Sequence, residues 1–156
     1  MLFRSIPQSG QAFLSLDTSG RRQLLSCLIS AAMSSGDESD AALVASFLGH
    51  PSVHGVTQPS DAQKAFEGEV AKLEDTVLDV PSAYRIMATL LHASALPIPL
   101  VEDLASRIVV NDNPARDRLL EEVQLCLGIS EEPLDQTSDH DTSGEECSTS
   151  EYAYAY

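Results

Sequence analysis

The chain has 156 residues, with 43% hydrophobic and 5% aromatic side chains, no tryptophan and a formal net charge of −15. So large a negative charge argues against direct contact with nucleic acid or an anionic membrane, whose phosphates it repels, and favours a basic protein partner. A core drawn from Leu, Ile, Val, Met and Ala points to helices rather than a β-sandwich, and the length suits one domain of moderate size with a tail.

Residues 1–18 mix Pro7, Gly10 and serines with apolar residues that keep no sustained period, which predicts an irregular N-terminal arm. From Ser19 to Ser34, Leu24, Leu25, Leu28, Ile29, Ala32 and Met33 form the stripe of an amphipathic helix that ends at Ser34-Ser35-Gly36. Cys27 is assigned to its apolar side as a small core residue. A short helix follows, with Leu43, Val44, Phe47 and Leu48 on one face, and stops at Gly49-His50-Pro51. His50 and His54 are four apart, but they flank Pro51 and Gly55 in a loop without the glutamate of a metalloprotease helix. No metal site is expected there.

A third helix opens at Ser60, where Ser60 and Gln63 have the spacing of a capping box and Asp61 suits the positive end of the helix dipole. It extends to about Leu73. Next comes Asp75-Thr76-Val77-Leu78-Asp79-Val80-Pro81, two carboxylates four positions apart beside a proline that fixes the backbone and opens a helix. The spacing displays both acids at a rigid corner suited to a basic partner. Asp79, just before the proline-initiated helix, is also expected to accept hydrogen bonds from the free N–H groups of that helix. Asp75 falls near the C-terminal end of the preceding one, where the dipole disfavours it.

Ala83, Met87, Leu90, Leu91 and Ser94 line one side of a fourth helix, closed by Pro97 and Pro99. A fifth covers about Leu100 to Val109. Asn113-Pro114 caps and opens a sixth, whose Leu119, Leu120, Val123 and Leu127 run to Gly128. Short connections between amphipathic helices predict stacked antiparallel pairs over residues 19–129. Residues 130–156 are rich in Ser, Thr, Asp and Glu and sparse in apolar residues, a composition that predicts a disordered acidic tail. Within it Ser138, Thr142, Ser143 and Ser148 each precede an acid by three residues, the pattern of acidophilic kinase sites.

Cys27, Cys126 and Cys147 have no CxxC spacing, which argues against a disulfide framework or a zinc site and fits a reducing compartment, cytoplasm or nucleus. No signal peptide, transmembrane run, Gly-rich phosphate loop or catalytic triad is recognisable, so neither an enzyme nor a cofactor is expected.

The order of these signals, a Leu-rich helix, a short helix, a capped helix carrying Ala65-Phe66, then Leu78-Asp79-Val80-Pro81-Ser82-Ala83-Tyr84 and a long helix, resembles an MA3 domain. This is the module of translation inhibitors of the programmed cell death protein 4 type and of initiation factor 4G scaffolds. The resemblance spans about Arg21 to Leu104. It implies an all-α stack of antiparallel helical hairpins, a HEAT-like α-solenoid, that regulates translation initiation by binding a DEAD-box RNA helicase of the initiation factor 4A type. By matching positions, Asp75 and Asp79 would contact arginines of that helicase, Pro81 would shape the loop and Glu74 would sit at the rim. A scaffold in splicing or ribosome assembly, or a generic helical module without a helicase partner, are the alternatives. The chain departs from the family at its start, since residues 1–18 do not reproduce the Leu-rich hairpin with a Ser-Gly-Asp turn. An N-terminally incomplete unit, with part of its first helix uncovered, is therefore expected.

Overall fold

In the computed structural model, which describes residues 6–108 and 114–128, the apolar stripes close into nine helices and no strand appears among the described residues. They are α1 (Ile6–Ser15), α2 (Thr18–Ser35), α3 (Glu38–Leu48), α4 (Pro51–His54), α5 (Pro59–Ala71), α6 (Leu73–Asp79), α7 (Ala83–Ala93), α8 (Ile98–Ala105) and α9 (Pro114–Cys126). The fold is all-α. The acidic tail, its four candidate phosphorylation sites and the Asn113 cap lie outside the described residues.

Helix contacts fall into two rows, α2 on α5 on α8 and α3 on α7 on α9, joined by α2 against α3 and α7 and by α8 against α9. The centre is α7. Of its expected stripe, Ala83, Met87, Leu90 and Leu91 are buried, whereas Ser94 is half-buried just past the helix end; Tyr84, Ile86 and Ala88 are buried as well. A helix flanked by α3 on one side and α9 on the other must be apolar over more than one face.

Four local expectations are corrected. The N-terminal arm is not irregular, because Ile6–Ser15 is helical and packs on α4. Phe13 is fully buried and meets Phe47 edge to face, ring centroids 5.6 Å apart. Asp17 caps the next helix by accepting from the Gly20 N–H at 2.9 Å, and Arg21 donates to the carbonyls of Phe13 and Leu14 where α1 ends. The Phe13 carbonyl also accepts from the Leu16 N–H at 3.2 Å, and a cation at this last turn, where carbonyls lack i+4 partners, stabilises a segment whose own periodicity is poor.

Second, α5 begins one residue early at Pro59, and the Ser60–Gln63 capping box does not form. Gln63 instead donates to Asp103 at 2.6 Å, linking α5 to α8. Third, the loop around the two histidines contains the single turn α4, capped by His50, whose Nδ1 accepts from the Ser52 N–H. Fourth, Cys27 and Leu43 are exposed. Cys27 lies two residues beyond buried Leu25, about 200° round the helix and away from the core. No described helix is long and apolar enough to cross a membrane.

An acidic face at α6 as the candidate functional site

The corner between Lys72 and Ser82 is built from a second helix, not from an extended loop. Lys72, at φ −97° and ψ 1°, ends α5 and starts α6, so the chain changes direction at one residue. Leu73 is fully buried, with Val77 and Val80 partly buried behind it; these fall at i, i+4 and i+7 and seat α6 on the core. The helix cannot continue past Asp79. Pro81 drives the residue before it out of helical space, and Val80 is extended at φ −125° and ψ 91°.

The corner is tethered to the α2–α3 turn. Gly36 ends α2 in the left-handed region at φ 65°, and a Cβ at that position would lie 3.1 Å from Val80 Cγ1. Val80 therefore packs directly on the bare α-carbon of this turn. Ser82 Oγ donates to the Gly36 carbonyl at 3.4 Å, and Arg85 pairs with Glu38 at 3.0 Å on the exposed side of the same junction. Asp37, the cap of α3, accepts from the hydroxyl and the backbone N–H of Ser39, and these bonds hold its carboxyl below the usual range.

On this support Asp75 and Asp79 lie one helical turn apart, both exposed, and with Lys72, Thr76, Val80, Met33 and Ser34 they line an open depression of about 380 Å³. Neither carboxylate has a side-chain hydrogen bond or ion pair to another described residue within 4.0 Å. The sequence-based assignment of their structural roles is reversed. Asp75 sits in the first turn of α6, where the dipole favours it, whereas Asp79 occupies the last turn, where it is disfavoured. Asp79 does not cap α7, whose preceding residue is Ser82, again without a side-chain cap bond.

Glu74 stands apart from this pair. It is half-buried and acts on Tyr84, whose pKa is raised first by burial and then by the Glu74 charge, against a smaller lowering by Arg118. Arg118 lies over the Tyr84 ring, 5.0 Å from its centroid. Pro81 is exposed at the bend itself.

Two features of the face escaped the sequence reading. Leu78 is 83% exposed, between the two acids in sequence and off the Leu73–Val77–Val80 stripe. Lys72 places a cation beside the carboxylates. Both would have been legible had Leu73–Asp79 been recognised as a helix. Among the described residues no group of three His, Cys, Asp or Glu is placed to hold a metal ion. Compared with known proteins, the chain matches no protein-family model, no curated protein sequence and no solved structure.

Proposed function

We propose that the protein is a non-enzymatic, MA3-type helical binding module that docks the acidic face of α6 onto a basic surface of a DEAD-box RNA helicase of the initiation factor 4A type and so regulates translation initiation. The observation that carries this reading is the pair Asp75 and Asp79, exposed side by side on a short helix seated on the core. Two carboxylates one turn apart have Cβ atoms about 5–6 Å from each other, a spacing that two arginines of a partner can match. Leu78 adds an apolar contact on the same helix. The two rows of helices are compatible with the stacked hairpins of an MA3 unit, and α1 stands where that resemblance had no counterpart.

The test is calorimetric titration against an initiation factor 4A-type helicase at moderate salt, with the wild-type chain and with Asp75→Asn and Asp79→Asn combined. The wild type is expected to bind, and the double variant to lose about 2–5 kcal/mol of binding free energy, as desolvated charge pairs do. Absence of wild-type binding, or equal binding by the double variant with its circular dichroism unchanged, rejects the reading.

A further inference from the structure

A separate concavity lies among α2, α4, α5 and the α7–α8 connection, away from the acidic face. Its floor is apolar and buried, with Leu25, Ile29, Val53, Ala65 and Phe66 each no more than 2% exposed, while His54, Pro59 and Ala95 are exposed at its edge, and its volume is about 210 Å³. A dry engineered cavity of about 150 Å³ accepts benzene, so this one has room for a ring bearing one or two further heavy atoms.

The polar groups on the wall define the chemistry more sharply than the volume does. Among the described residues, only His54, Thr57 and Ser94 contribute polar side chains to it. Thr57 Oγ1 donates to the Val53 carbonyl and Ser94 Oγ to the Leu91 carbonyl, each at 2.7 Å. His54 Nε2 lies 3.2 Å from the Ala93 carbonyl. A carbonyl only accepts, so Nε2–H is the donor in this contact. The hydroxyl protons of Thr57 and Ser94 and the Nε2–H of His54 are thus already committed, and the two hydroxyl oxygens keep lone pairs to offer. A charged ligand would lose its hydration against apolar walls, and a ligand offering only acceptors would meet acceptors. Ala95, on the lip, has φ 48°, the one positive value for a non-glycine among the described residues. Strain of this kind concentrates at ligand-binding positions.

From these constraints we infer that the cavity binds an uncharged aromatic ring carrying a single hydrogen-bond donor, a phenol. Two sources share that chemistry, a free phenolic molecule and the side chains of the tract Tyr152-Ala153-Tyr154-Ala155-Tyr156. Three of the four tyrosines of the chain lie in this tract. The 23 residues between Gly128 and Tyr152 could span up to about 80 Å when extended, which does not limit their reach.

The test uses p-cresol, the tyrosine side chain as a free molecule, titrated into the full chain and into a variant with Tyr152, Tyr154 and Tyr156 all changed to Ala. Methyl resonances of Leu25, Ile29 and Val53 report the site. Saturable shifts of these methyls, with nuclear Overhauser contacts from the cresol ring to Ile29 and Val53, are expected. Toluene, which lacks the donor, should bind about fivefold or more weakly, the worth of one hydrogen bond. Tighter cresol binding by the triple variant than by the full chain identifies the tyrosine tract as the resident ligand; equal binding identifies a free phenol. Ala65→Leu, which fills the cavity, should abolish the shifts. If that variant fails to fold, the contacts in the wild type still decide. Absence of saturable shifts in both chains, or toluene binding as well as p-cresol, overturns the inference.

Discussion

Asp75 and Asp79 carry the same carboxylate on one helix, yet α6 treats them oppositely. The first complements the partial positive charge of the free N–H groups at the start of α6, and the second faces the partial negative charge of the carbonyls at its end. Each term is worth about 0.3–1 kcal/mol at an exposed position. Asp79→Asn should therefore leave the urea midpoint unchanged or raise it slightly, and Asp75→Asn should lower it by a similar small amount. A clear loss of stability in Asp79→Asn would show that this side chain supports α7 after all. The presence and spacing of both acids were legible in the sequence, but their energetic roles were not. Those depend on where α6 begins and ends, and the kink at Lys72 that starts it has no Gly or Pro to announce it.

Among the elements, α7 and α1 mark the limits of periodicity as a guide. The α7 stripe was readable because Leu90, Leu91 and Met87 recur at helical spacing, and burial of Tyr84 and Ile86 adds what two neighbouring helices require. By contrast α1 includes Pro7 and Gly10, which interrupt the pattern, and much of its hold on the domain comes through Phe13 and the capping of its carbonyls by Arg21. Such long-range support is invisible to a local reading. Phe13→Ala removes a fully buried ring from contact with Phe47 and should cost about 3–5 kcal/mol in equilibrium unfolding. A cost below about 1 kcal/mol would mean that α1 is peripheral to the core.

At the scale of the molecule, charge and burial act in different places. Eight of the 24 acids, and none of the nine Lys and Arg, lie beyond residue 129, so about half of the net charge belongs to that segment. The helical part is only mildly acidic, and this makes the two exposed carboxylates of α6 more distinctive than the overall charge suggests. Within the domain, Tyr84 lies where α6, α7 and α9 converge. Its pKa is raised in the folded state, so the unfolded chain gives up this proton first as pH climbs. The contribution of Tyr84 is complete below about pH 10 and is lost as pH passes through the higher folded value. Tyr84→Phe should flatten the fall in stability above about pH 10, measured by urea denaturation; an unchanged alkaline slope would place the phenol in an unperturbed setting.

The contact between Gly36 and Val80 has a genetic consequence. A side chain at position 36 would be strained by the positive φ, costing about 1–2 kcal/mol, and would press on the residue that ends α6. If the proposed helicase contact exists, a selection for its loss in a random library should thus recover substitutions at Gly36 beside those at Asp75 and Asp79. Such hits would map to a turn that itself carries neither carboxylate of the pair, and scored by sequence position alone they would be mistaken for a second interface.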